Sequence, residues 1–136
     1  MIKNVFLLLS MLIAGSALNA QHHKIVYDLS SADTSDHSTV LRQFNNILKE
    51  APDAQLEVVC HGGGVYMLVK NKTLLEEKMK ELANGRKITF KICANSMRRY
   101  SIDKSELVSL AEVVPVAMLE LSSKQQQGWS YIRTGR

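Results

Sequence analysis

Two kinds of apolar segment alternate along this chain, and their order restricts the fold more than any other feature. Short β-branched runs read as strands: "KIVYDLS" at 24–30, "QLEVVC" at 55–60 and "KITFKIC" at 87–93. Between them lie helical stripes. Val40, Leu41, Phe44, Ile47 and Leu48 share one side of a helix that Asp36 or Ser38 would cap and that ends before Pro52. Leu75, Met79 and Leu82 form the stripe of a second helix over about 71–84. Thr73 and Glu76 fit a capping box for it, and Asn84-Gly85 is its stop signal. A further helix is expected at 104–110, with Asp103 as cap and Glu106 three residues on. "EVVPV" is a short strand broken by Pro115, which also suits the first turn of a helix reaching about Gln126. Gly128 ends that helix, and "WSYI" is a last short strand. No tight hairpin signal joins one strand to the next. The expected fold class is therefore α/β: a three-layer α/β/α sandwich with a mostly parallel sheet of about five strands.

The first twenty residues stand apart. "MIKNVFLLLSMLIAGSALNAQ" has one early cation, Lys3, then a short apolar run, then small residues. That pattern is a secretory signal peptide, too short for a comfortable transmembrane helix. Cleavage is expected after Ala20, or after Ala17. Residues 21–136 then form one domain with a single core, exported to the periplasm or secreted, with no stable membrane insertion. The whole chain has 17 Lys+Arg against 13 Asp+Glu, and the leader takes one of those cations with it. So mild an excess, with no aromatic-basic pattern, gives no ground for a nucleic-acid partner.

Ligands of open parallel sheets bind beyond the carboxyl ends of the strands. Asp28, Cys60-His61-Gly62, Cys93-Ala94-Asn95 and Pro115 all fall there. With Asn95 as N-cap of a turn over 96–100, Cys93 would stand at a helix N-terminus, where free N–H groups favour a thiolate. Arg98 or Arg99 could add positive potential. Cys93 is then a nucleophile or sulfur acceptor, or else a small apolar filler at a strand end. His61, Gly62, Gly63 and Gly64 could cradle an anion, or form only a tight strand-to-helix turn. The run is similar to an esterase oxyanion loop, but there is no G-x-S-x-G elbow and the chain is too short for that fold.

His61 is the histidine beside a strand end. His22 and His23 lie in the N-terminal stretch, and His37 near a helix cap. No spacing matches a zinc site, so neither metal nor cofactor is expected. Cys60 is a second candidate thiol, and in an oxidising compartment it could pair with Cys93 if neighbouring strands align them. A thiol–disulfide oxidoreductase is disfavoured, because there is no C-x-x-C. Trp129 and Tyr131 alternate on one strand face, as core or oligomer contacts.

"LEVVCHGGGVYMLV", "FKICANSM" and "VVPVAMLELSSKQQQGWSYIR" resemble the exported members of the DsrE/DsrF-like family, from Lys24 to Arg133. The resemblance implies a compact α/β/α sandwich with a small flavodoxin-like sheet, assembled as a homo-oligomer, a trimer or hexamer. It also implies that Cys93 stands where the family's cysteine carries sulfur as a persulfide, with a sulfur donor or acceptor protein as partner. The cytoplasmic relay members work with partner subunits, whereas this chain is read as exported, which counts against a role in tRNA thiolation. The expected function is that of a periplasmic sulfur-handling protein, a carrier rather than a turnover enzyme. It would hold a persulfide or mixed disulfide on Cys93, in a pocket walled by His61 and the glycines, with Asn95 bonding the terminal sulfur. The alternative is a non-catalytic module of the same fold that binds a small anion or a protein and keeps a structural cysteine.

Overall fold

The computed structural model describes residues 22–135. The expected signal segment and both cleavage positions lie outside them. The elements run β1 (Lys24–Leu29), α1 (Thr34–Glu50), β2 (Gln55–Cys60), a 3-10 helix (Gly62–Leu68), α2 (Glu76–Ala83) and β3 (Ile88–Cys93). After β3 come α3 (Ala94–Arg99), a 3-10 turn (Lys104–Glu106), β4 (Ala111–Val114), α4 (Ala117–Gln126) and β5 (Ser130–Thr134). The five strands pair in the order β4-β3-β2-β1-β5, and every pairing is parallel. The expected α/β sandwich is thus the observed one, with all strands of the sheet parallel.

Crossovers between parallel strands are right-handed, so the direction of each step decides which face its helix covers. The chain steps from β1 to β2, β3 and β4 in one direction. Those connections cover one face, where Val40, Leu41, Phe44 and Leu48 of α1 and Met79 and Leu82 of α2 meet Tyr27, Leu29, Leu56, Val58, Phe90 and Ile92. Tyr27 and Phe44 pack edge to face, with ring centroids 5.0 Å apart. The step from β4 back to β5, beside β1, runs the other way and carries α4 over the opposite face. There the apolar cluster is small: Val26, Val59, Cys93, Ala117 and Leu121.

The face under α4 is also polar. Glu57 is 1% exposed. Its carboxylate accepts from the Thr89 hydroxyl at 2.7 Å and pairs with Lys124 Nζ at 3.2 Å. Burial raises its pKa. Lys124 lies 4.4 Å from the centre of the Trp129 ring. These contacts join α4 to β2 and to the residue before β5.

Several boundaries differ from the sequence expectation. The N-cap of α1 is Asp33, whose carboxylate accepts from the Ser35 N–H, and Asp36 lies inside the first turn. Thr73 caps nothing: its hydroxyl accepts from the Leu75 N–H in a local turn, and α2 begins only at Glu76. The capping box of Asp103 and Glu106 does form, but around a single 3-10 turn. The chain beyond it is claimed by Val69, which bridges Leu107, and by the Leu68 carbonyl, which accepts from the Val108 N–H. Pro115 precedes α4 rather than entering its first turn, because the N-cap is Val116.

The close approach of two segments explains Gly64. A Cβ there would sit 2.2 Å from the Leu29 carbonyl oxygen, and that oxygen belongs to backbone that cannot swing aside. Gly64→Ala should destabilise the fold by roughly 3 kcal/mol, the upper end of overpacking effects. Gly85 has φ +68° with open space around it. Gly85→Ala should cost only about 1 kcal/mol of left-handed backbone strain. Chemical denaturation of the two variants measures the difference.

Candidate functional site

Parallel pairing delivers the strand ends as a row. Leu29 pairs with Cys60 and with Thr134, and Cys60 pairs with Ile92. One residue further along stand His61 after β2 and Cys93 at the end of β3. Side chains alternate across a sheet. Asp28, His61 and Cys93 therefore all project to the face under α4, from three consecutive strands.

Cys93 ends β3 and is itself the N-cap of α3, a place expected for Asn95. The Ala117 N–H, first in α4, donates to its sulfur at 3.4 Å. Two helix N-termini therefore meet at one thiol. The Asn95 and Ser96 N–H groups of α3 close no cap hydrogen bond, so they act as nearby dipoles. Cys93 is 4% exposed. Burial alone would push its pKa up. The N–H groups of Ser96 and Ala117, the Ser96 hydroxyl and the Asn95 N–H outweigh that and hold the thiol below its ordinary range. The Ser96 oxygen also accepts from the Gly62 N–H at 2.9 Å, which ties the glycine turn to the thiol.

His61 is oriented by β1. Its Nε2 lies 2.6 Å from Asp28 Oδ1, and the Tyr131 hydroxyl donates to the other oxygen of the same carboxylate. Burial opposes ionisation of Asp28, but the bonds from His61 and Tyr131 prevail and lower its pKa. The Tyr131 pKa is raised, first by its bond to Asp28. The sequence placed Asp28 at a strand end without a partner, and it read Tyr131 as a packing or oligomer residue. Only the position of β5 beside β1 brings the two together.

The DsrE/DsrF-like family is matched over residues 16–134. The chain belongs to that family. A solved structure of a protein of unknown function from Methanobacterium thermoautotrophicum is similar in fold, with a TM-score of 0.75 and 23% identity. The similarity covers 82% of this chain and 98% of that one. No curated protein matches the sequence.

Within this DsrE/DsrF-like fold the other expected site residues take different places. Cys60 is fully buried and faces the α1 side, where burial pushes its thiol pKa far up. Cys60 pairs with Ile92, so Cys93, one residue on, points to the opposite face. Both cysteines are free. The period of two along a strand thus rules out the disulfide that neighbouring strands would otherwise allow.

Asn95 presents its side-chain oxygen to Arg98, and the Arg99 guanidinium lies 5.9 Å from the centre of the Tyr100 ring. In the glycine run, Gly62 has φ +50°, and a Cβ on Gly63 would lie 2.7 Å from Ala32 Cβ. The Gly64 N–H donates to the Ser30 and His61 carbonyls. With Gly62 bonded to Ser96, two of these glycine N–H groups are engaged inside the protein, and the run serves close approach to the loop after β1. Among the described residues, no group of three or more His, Cys, Asp or Glu is placed to hold a metal ion.

Two measurements follow from the charges. The pH profile of iodoacetamide alkylation should place the Cys93 midpoint below that of a free cysteine, about 8.5. Cys60 should label only on unfolding. The depressed pKa of Asp28 contributes stability that is complete above the unfolded carboxyl value, about 3.9, and is lost as pH falls through the folded value. Asp28→Asn should therefore flatten the acid limb of a stability-versus-pH curve measured by thermal unfolding.

Proposed function

We propose that this protein carries sulfur on Cys93, as a persulfide or a mixed disulfide, after export to the periplasm. The observation that carries the reading is the sulfur at the meeting of two helix N-termini, with the Ala117 N–H at 3.4 Å. That surrounding favours the thiolate, which is the form that attacks a sulfane sulfur. Family membership supports the same chemistry. The protein works as a homo-oligomer, with a sulfur donor or acceptor protein as partner. Met118 and Leu119 on α4 are 52% and 67% exposed, which is consistent with a surface that packs on another chain.

The rival reading is a non-catalytic module with a structural cysteine. The observation in its favour is the 4% exposure of Cys93, which leaves little of the residue open to a donor.

Incubation with polysulfide followed by intact mass under non-reducing conditions separates the two. The carrier gains whole sulfur masses. Cys93→Ser removes the gain with the fold intact, because a hydroxyl is nearly isosteric with a thiol and forms no persulfide. Cys60→Ser leaves it in place. No gain in the wild type, or a gain that survives Cys93→Ser, overturns the reading.

A further inference from the structure

A thiol that takes sulfur from another persulfide must lose a proton, and the thiolate that leaves must gain one. Ala117 and Ser96 stabilise the charge on Cys93 but accept no proton. His61 stands level with Cys93 on the neighbouring strand, because Cys60 pairs with Ile92, and its imidazole can accept one. Its Nε2 is taken by the Asp28 carboxylate at 2.6 Å, so Nε2 carries the hydrogen and Nδ1 holds the free lone pair. The two ring nitrogens diverge. With Nε2 turned toward β1, Nδ1 is on the side away from Asp28, and β3 lies on that side of β2. The His61 side chain is 22% exposed and that of Asp28 9%, so the ring reaches solvent while the carboxylate that orients it is covered.

We propose that His61 is the acid–base group for sulfur transfer at Cys93, and that Asp28, held by Tyr131, positions it. The inference rests on the carrier reading above. Nδ1 takes the proton of the Cys93 thiol. The thiolate attacks the terminal sulfur of a donor thiol persulfide, R–S–SH. The Cys93 S–S bond forms and the donor S–S bond breaks. The electron pair of the broken bond leaves on RS⁻, which takes the proton back from His61. The balance is Cys–SH + R–S–SH → Cys–S–SH + R–SH, with no external oxidant.

Charged groups reach this end of the sheet from several elements. From β1 comes Asp28. From β5 come Tyr131 and Arg133, the latter acting on the Asp28 charge. From β3 comes Cys93, while Lys91 on the same strand is paired with Glu112 of β4. Arg98 of α3 is bonded to Asn95. Lys124 of α4 is paired with Glu57 of β2 and Glu120.

The test is the rate of persulfide loading from a low-molecular-weight thiol persulfide, read by quenched intact mass across pH, in the wild type and three full-length variants. The wild-type profile should show an inflection belonging to His61 as well as that of Cys93. His61→Gln should remove it and slow loading at neutral pH by roughly a hundredfold, the lower end of general acid–base contributions. Asp28→Asn should move the inflection down, because the imidazolium loses its counter-charge.

Tyr131→Phe should move the inflection up, because a carboxylate short of one donor is more basic. This variant deletes a single hydroxyl from a half-exposed residue, so it decides the question if the buried Asp28 variant fails to fold. A purely structural role would lower the yield or the melting temperature without moving the inflection. A wild type that loads sulfur with a profile unchanged in His61→Gln and Tyr131→Phe overturns the role of His61 and leaves the carrier intact. A wild type that takes up no sulfur overturns both.

Discussion

The parallel register of β1, β2 and β3 is the constraint on which the site depends. Leu29, Cys60 and Ile92 are level with one another, so the residues just beyond them emerge side by side. Hydrogen bonds of the ladder set that level, and the His61 N–H extends it by donating to the Leu29 carbonyl at 3.0 Å. A slip of one residue on β3 would send Cys93 to the α1 face and bring Ile92 under α4. The apolar residues of β3 resist such a slip. Phe90 and Ile92 are buried against α1 and its neighbours, whereas Thr89 and Lys91 pair with carboxylates on the other side.

The second support is α4, which meets the sheet through a small apolar cluster and one buried charge pair. Its apolar contribution is Ala117 and Leu121, so the pair of Lys124 with the buried Glu57 accounts for much of how it is placed. Burying such a pair costs solvation that attraction barely repays, and a buried pair broken on one side costs more still. One oxygen of Glu57 has no hydrogen-bond partner in the structure. Lys124 compensates in part by lying over Trp129. The result is a helix whose orientation is specified while Met118 and Leu119 stay exposed on its outer side. The same helix carries both this anchor at Lys124 and the Ala117 N–H that donates to the sulfur.

The thiol is therefore tuned by backbone rather than by cations. Arg98 and Arg99 follow Cys93 closely in sequence, yet one is bonded to Asn95 and the other lies beside Tyr100. What lowers the thiol pKa is a set of backbone N–H groups and the Ser96 hydroxyl, whose oxygen accepts from the Gly62 N–H. His61 is held differently, by a side chain: its ring is aimed by the Asp28 carboxylate of β1.

Much of this was legible from residues alone. The alternation of β-branched runs and helical stripes predicted an α/β sandwich, and β2 begins and ends where "QLEVVC" does. The cysteine at the end of a strand and the three glycines after another were visible because local periodicity marks where an element stops. Periodicity cannot say which strand lies beside which. That β5 returns to pair with β1, and so sets Tyr131 against Asp28, follows from a crossover that the chain makes only as a whole. That Cys60 and Cys93 face opposite sides needs the register between β2 and β3. The helix expected at 104–110 gave way to a bridge with Val69, a partner distant in sequence. Local preference decided the elements, because neighbours along the chain suffice to form them. The arrangement of the site was decided only by tertiary structure, because Asp28, His61, Cys93, Ala117 and Tyr131 come from separate parts of the chain.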